Sequence, residues 1–142
     1  MAGLLVDSNI LIDIATGDPA WRDWSASALA EAGRSMRPVI NPVIYAEVSV
    51  AFTRIEALER LLPATMFHRE DIPWEAAFLA GKVFRAYRQK GGIRTSPLPD
   101  FFIGAHAAIR GYVLLTHDRG RFRSYFPDLR LISPPVRMTR TC

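Results

Sequence analysis

The chain has 142 residues, of which 49% are hydrophobic and 11% aromatic, a composition typical of one globular domain with a substantial core. It contains no apolar run long enough to cross a bilayer, and acids interrupt its partly apolar first residues, which argues against a membrane protein and against a secretory signal. The single cysteine, Cys142, excludes a disulfide within the chain, and we expect a cytoplasmic protein.

The charge is positive and carried mainly by arginine. The net charge is +4, and of the 18 basic residues only Lys82 and Lys90 are lysines. Arginine matches phosphate with a planar fork, which suits a nucleic-acid partner, although a GC-rich coding bias would give the same composition. Residues 76–99 contain no acid but several basic residues, namely Lys82, Arg85, Arg88, Lys90 and Arg94. This segment is either a track for a nucleic-acid backbone or a solvated helix face.

In chain order, the first half alternates short strands and helices. Residues 4–6 are three apolar residues that end in Asp7, the pattern of a buried strand leading into a short helix. The elements predicted next are a helix at 20–32 opened by Asp18 and Pro19, a strand at 37–40, a helix opened by Asn41 and Pro42, a helix at 55–62 and a weakly indicated strand at 65–68.

The second half continues the alternation. Its predicted elements are the longest helix at 71–90, a turn-rich connector at 91–99, a helix at 101–110 stopped by Gly111, a strand at 112–116, a helical segment at 120–126 and a last strand at 129–132. The apolar residues of the longest helix that follow a helical period, and should face the core, are Trp74, Phe78, Leu79, Val83 and Tyr87. The alternation predicts a single α/β domain over residues 1–132, a parallel sheet flanked by helices, with a frayed tail at 133–142.

Four acids share one feature, which is a position at a strand end or near the start of a helix: Asp7, Glu47, Asp100 and Asp118. In a parallel sheet these junctions face the same edge. Carboxylates gathered there repel one another unless a cation neutralises them, and oxygen ligands suit Mg²⁺ or Mn²⁺. Such an ion activates water for hydrolysis of a phosphodiester. Each acid taken alone could be a helix cap or a surface residue, so the metal site is indicated only by the four together.

The remaining polar residues receive simpler assignments. Apolar neighbours on the same helix face argue against plain exposure of Glu47: Val43, Ala46, Val50 and Ala51. The histidines lack zinc-ligand spacing and are expected to be structural or on the surface: His68, His106 and His117. The other aspartates are assigned to caps, turns or solvent, with Asp13 the least secure because it is close in sequence to Asp7: Asp13, Asp18, Asp23, Asp71 and Asp128. The basic residues that either bind RNA phosphates or are solvated include Lys82, Arg85, Arg119, Arg121 and Arg123.

Four segments, in this order and at these spacings, resemble the PIN-domain nucleases, and more narrowly the VapC-type toxins of bacterial toxin–antitoxin pairs: residues 6–9 (VDSN), 41–47 (NPVIYAE), 99–107 (PDFFIGAHA) and 115–122 (LTHDRGRF). The resemblance runs from about residue 4 to residue 132 and implies a PIN-like α/β/α fold. It identifies Asp7, Glu47, Asp100 and Asp118 as the metal-binding acids, with Asn9 and Thr116 as supporting residues. It also implies a Mg²⁺-dependent endoribonuclease, usually a homodimer, that a small antitoxin silences.

Two other functions are compatible with an acidic pocket on a parallel sheet. A receiver-like signalling domain also binds Mg²⁺, but such domains tend to pair adjacent acids after the first strand, and here Ser8 follows Asp7. They also need a phosphate-binding lysine after a late strand, where this chain has arginines. A non-catalytic RNA- or protein-binding module would keep the acids without turnover.

Overall fold

The computed structural model describes residues 2–93 and 98–135, and within these ranges five parallel strands form one sheet. The strands are β1 (Ala2–Val6), β2 (Met36–Ile40), β3 (His68–Arg69), β4 (Val113–Leu115) and β5 (Leu131–Ile132). The helices are α1 (Ser8–Thr16), α2 (Arg22–Ala32), α3 (Pro42–Ser49), α4 (Ile55–Leu61), α5 (Trp74–Gln89), α6 (Pro99–Arg110) and α7 (Arg119–Arg123). This is the predicted α/β fold with a parallel sheet flanked by helices.

In the strand order β3-β2-β1-β4-β5, β2 and β3 are added on one side of β1, and the chain then crosses back to add β4 and β5 on the other side. Right-handed connections therefore put α1 to α4 on one face of the sheet and α5 to α7 on the other. The packing agrees, since α1 contacts α2 and α3 whereas α6 contacts α5 and α7. The crevice outside the carboxyl ends of β1 and β4 is the topological switch point, where open α/β sheets bind their ligands.

The centre of the core is β1, whose apolar run is covered on both faces by helices. Leu4, Leu5 and Val6 are fully buried, as are Leu114 and Leu115 of the neighbouring β4. Burial of a side chain of this size contributes roughly 1.5–3 kcal/mol. The two central strands are thus firmly held, which fixes the position of the residues that follow them.

Several element boundaries differ from the predicted ones for local reasons. The helix expected from residue 20 begins at Arg22, because the Asp18 carboxylate accepts the backbone N–H groups of Ala20 and Trp21 and holds them in a turn. The strand expected at 65–68 is displaced to His68–Arg69, because the carbonyl of Pro63 accepts two N–H groups of a preceding turn. The long helix begins at Trp74 rather than residue 71, directly after Pro73.

The predicted core face of α5 is wrong at its first two positions. Trp74 is 89% exposed and Phe78 is 69% exposed. The helix packs against α6, and its buried residues include the small residues Ala76 and Ala80. The predicted core residues that are buried or half-buried are Leu79, Val83 and Tyr87.

Among the described residues, no helix is long and apolar enough to span a membrane. Residues 133–135 form neither helix nor strand. The rest of the predicted tail, 136–142, and residues 94–97 of the connector, including Arg94 of the basic segment, lie outside the described residues.

Candidate active site

Asp7 lies at the carboxyl end of β1, at the switch point, and is 2% exposed. Its backbone N–H donates to the carbonyl of Leu115 at 2.9 Å, so the pairing with β4 continues to this residue. The Thr116 hydroxyl donates to Asp7 Oδ2 at 2.8 Å. The carboxylate is therefore held by backbone on one side and by a side chain of the neighbouring strand end on the other.

Thr116 is the centre of the hydrogen bonds behind Asp7. Its oxygen accepts from Nδ2 of Asn9 at 3.1 Å and from the backbone N–H of Asp118 at 3.0 Å. With both lone pairs engaged, the single hydroxyl hydrogen is committed to Asp7. Asn9 and Thr116 are thus placed as supporting residues would have to be, since they orient an acid without adding charge.

Ser8 connects Asp7 to Glu47, a link that sequence reasoning missed because a serine after an acid is ordinarily read as part of a helix start. The Ser8 hydroxyl is 2.9 Å from Glu47 Oε1 and 3.4 Å from Asp7 Oδ1. It has one hydrogen, and the shorter distance assigns that hydrogen to Glu47. Asp7 Oδ1 keeps only the longer contact with Ser8.

Glu47 is half-buried, but not for the predicted reason. Val50, expected on a buried face with Glu47, is 86% exposed, and Ala46 and Ala51 are also exposed. The buried side of α3 is formed by Ile44 and Val48. Glu47 is half-buried because it faces the edge of the sheet, where Ser8 meets it.

Asp100 and Asp118 are joined by one arginine. Asp100 lies in the first turn of α6, and Asp118 precedes α7 and accepts the backbone N–H of Arg121 at 3.4 Å. The Arg121 guanidinium lies 3.2 Å from Asp100 Oδ2 and 3.0 Å from Asp118 Oδ2. Arg121, predicted as an RNA-binding or solvated residue, therefore points at two of the candidate metal ligands.

The electrostatics link the two pairs of acids. Burial, the largest cause, raises the pKa of Asp7 from 3.8 to about 7, with the charges of Asp100 and Glu47 adding to it and the Thr116 hydrogen bond opposing it. Burial also raises the pKa values of Glu47 and Asp100, and in both cases the charge of Arg121 opposes the rise. Although burial lowers it, the pKa of Arg121 is raised overall by Asp100 and Asp118. One arginine thus leaves part of the negative charge of the site uncompensated.

The donor set suits a hard divalent cation, since all four side chains offer carboxylate oxygens. Within residues 2–93 and 98–135, however, no three acidic, histidine or cysteine side chains stand in an arrangement ready to hold an ion. At Asp100 and Asp118 the charge that lies between the carboxylates is the Arg121 guanidinium. The carboxylate oxygens fit Mg²⁺ or Mn²⁺ in chemistry, and Arg121 supplies the positive charge beside Asp100 and Asp118.

Among the described residues, the other predicted phosphate-binding residues form no ion pair with these acids. Lys82 and Arg85 are exposed on α5, with the Lys82 ammonium 5.0 Å from the centre of the Phe78 ring, and Arg119 is exposed at the start of α7. Arg123 has a structural role, because its guanidinium donates to the backbone carbonyls of two residues before β5.

Asp13 is the one aspartate whose assignment to caps, turns or solvent is wrong. It is 5% exposed, and its Oδ2 accepts the Ser25 hydroxyl at 2.8 Å and lies 2.6 Å from His117 Nδ1. The His117 ring also stacks on Trp21, with 4.7 Å between ring centres. This cluster ties α1 and α2 to the loop that carries Asp118.

His106 has the structural role that was one of its two predicted assignments. It is fully buried, with Nδ1 2.9 Å from Asn41 Nδ2 and Nε2 2.8 Å from Glu70 Oε1. Tyr112 also donates to Glu70, at 2.7 Å. The network joins α6, which carries Asp100, to the start of α3, which carries Glu47.

Fold and site together define a class of protein, an α/β/α domain whose parallel sheet gathers acidic side chains at its switch point. The family model of the PIN domain matches residues 4–125, and the chain belongs to this family of nucleases. Membership of the PIN-domain family argues against the receiver-like alternative. No curated protein sequence matches the chain.

Solved structures with a similar fold include VapBC2 from Rickettsia felis bound to a promoter DNA fragment, DNA-bound VapBC from Salmonella typhimurium, and VapBC-1 from nontypeable Haemophilus influenzae. Their TM-scores are 0.71, 0.69 and 0.68, each at 20% sequence identity. The matches cover 92%, 94% and 92% of this chain and 98%, 98% and 96% of the matched chains. At this identity the likeness establishes a shared fold over nearly the whole chain.

Proposed function

We propose that this protein is a VapC-type toxin, an endoribonuclease that hydrolyses RNA phosphodiester bonds with the help of Mg²⁺. The observation that carries the proposal is the group of linked acids at the switch point, in which burial and neighbouring charges raise the pKa of Asp7 to about 7. A buried acid in this state gains most from a nearby cation. Membership of the PIN-domain family supports the nuclease, and neighbours drawn from toxin–antitoxin complexes support the toxin.

In this proposal Asp7, Glu47, Asp100 and Asp118 hold Mg²⁺, for which Mn²⁺ substitutes. When bound, such an ion lowers the pKa of water and screens the charge that develops on the phosphoryl oxygens. The chain's own contribution is orientation: Thr116 fixes one oxygen of Asp7 by a 2.8 Å hydrogen bond, and Ser8 does the same for Glu47 at 2.9 Å.

The RNA backbone would be bound by cations outside the acidic site. Lys82, Arg85 and Arg119 are exposed and free to approach phosphates, and contacts of this kind make binding weaken as salt rises. We propose RNA as the substrate on the strength of the family resemblance.

We also propose that the protein binds a small antitoxin and forms a homodimer. A candidate contact face is the exposed side of α5, where Trp74 and Phe78 lie one turn apart. Light scattering on the purified chain should give the mass of a dimer, and a monomer at all concentrations would contradict this part of the proposal.

The test is cleavage of a labelled single-stranded RNA by the purified chain in Mg²⁺, in Mn²⁺ and in EDTA. Cleavage should need the divalent ion and should fall more than about 100-fold in Asp7→Asn and in Asp118→Asn, since even changes behind the ligands of a metal cost about 10- to 100-fold. Asp128→Asn, which changes an exposed acid, is the matched control and should cleave normally.

Two outcomes would overturn the assignment. Full activity in a folded double variant of Asp7 and Asp118 would show that the acids are not catalytic. RNA binding that persists in EDTA, without cleavage in either metal, would indicate the non-catalytic binding module instead.

A further inference from the structure

The side chain of Arg121 occupies the position that a cation would need at Asp100 and Asp118. Its two terminal nitrogens contact one oxygen of each carboxylate, at 3.2 Å and 3.0 Å. A planar guanidinium that spans two acids in this way is well matched to them in charge and geometry.

We propose that Arg121 is an internal counter-cation of the acidic site and competes with the divalent ion for Asp100 and Asp118. The inference rests on the proposed function in assuming that these acids bind the ion. A carboxylate oxygen that is paired with a guanidinium must give up that contact to become a metal ligand, so each ion bound displaces one arginine side chain. The intrinsic metal affinity of the acids is therefore reduced by the strength of the Arg121 contacts.

The surroundings of Arg121 allow this exchange. Its side chain is 55% exposed, so it leaves the acids without opening the core. The helix that carries it is anchored separately, because Phe122 is fully buried and the Asp118 carboxylate accepts a backbone N–H of this turn. The backbone can thus stay in place while the guanidinium moves into solvent. Arg121 is in this sense a positioning residue, which acts through the two acids it holds.

The test is calorimetric titration of the full chain with Mn²⁺, without RNA, for the wild type, Arg121→Gln, Arg119→Gln and Asp7→Asn. Arg119 is the matched control, since it lies on the same short helix and carries the same charge but is exposed at its start. Because two partly exposed ion pairs would no longer compete with the metal, Arg121→Gln should bind Mn²⁺ about 2- to 30-fold more tightly. Arg119 is exposed and, among the described residues, forms no ion pair with these acids, so Arg119→Gln removes only a solvent-screened charge and should change the affinity less than about 2-fold.

The outcomes separate this inference from the proposed function. Equal affinities of Arg121→Gln and Arg119→Gln, with binding lost in Asp7→Asn, would overturn the competition and leave the metal site intact. Weaker binding in Arg121→Gln would also overturn it. Absence of Mn²⁺ binding in the wild type and in every variant would overturn the metal site and the inference together.

Discussion

Folding disfavours the ionised form of Asp7. Replacing Asp7 by asparagine should therefore stabilise the metal-free chain above neutral pH. The carboxylate is buried, with Asp100 and Glu47 adding negative charge, so its ionised form is disfavoured on folding. Asparagine has nearly the same shape and no charge, and its oxygen can still accept the hydrogen of Thr116. A gain in stability from the loss of an acid in the proposed active site would be the usual trade between function and stability.

The size and sign of the effect follow from the pKa of Asp7, which folding raises from 3.8 to about 7. Below the lower value the acid is protonated in both states and has no influence on stability. Between the two values the unfolded chain ionises while the folded chain keeps its proton, so the wild type loses about 1.4 kcal/mol of stability for each pH unit. The loss is complete above about pH 7, and between pH 5 and pH 8 it amounts to roughly 3 kcal/mol.

The assay is urea unfolding of the wild type and Asp7→Asn in EDTA at pH 5 and pH 8. The stability difference between the two proteins should be larger at pH 8 by about 3 kcal/mol in favour of the variant. Comparing two pH values removes the constant effect of exchanging an oxygen for an amide nitrogen. Asp128→Asn, an exposed control, should show no such change. A stability difference between the two proteins that is the same at both pH values would refute the argument that folding raises the pKa of Asp7.

Two further predictions concern stability away from the acids. Asn41→Ala removes both the helix cap that accepts the Ile44 N–H at 2.9 Å and the hydrogen-bond partner of buried His106. Thermal unfolding should show that the free energy of unfolding falls by about 2–4 kcal/mol. A fall below about 0.5 kcal/mol would contradict the structural role of this network. In the monomer, at chain concentrations too low for dimerisation, Trp74→Ser should cost less than about 0.5 kcal/mol because the side chain is 89% exposed. Val83→Ala on the buried side of α5 should cost about 1–3 kcal/mol, and the reverse order would mean that the α5 face is misassigned.

The features that the sequence predicts correctly are those with local causes. Three apolar residues before Asp7 are enough to define a buried central strand. Asn41 followed by proline starts α3, and Gly111 ends α6 with a φ of +68°, which favours glycine. The order of strands and helices then places the strand ends and helix starts that carry the four acids at one edge of the sheet, without any knowledge of side-chain contacts.

The features that the sequence does not predict depend on partners distant in the chain. Asp13 is buried because His117 meets it from a loop 104 residues away. Trp74 lies on the correct helical period, but the period alone does not say which side faces α6. Arg121 resembles any solvated arginine until the fold places it between two acids.

The central claim is that the four acids bind a divalent ion, and the most direct test is X-ray diffraction from crystals grown with Mn²⁺, recorded to give an anomalous map. The account predicts a manganese peak coordinated by carboxylate oxygens of Asp7, Glu47, Asp100 and Asp118, absent from crystals of Asp7→Asn. A fully occupied peak elsewhere, or no peak at this edge of the sheet at saturating Mn²⁺, would contradict it.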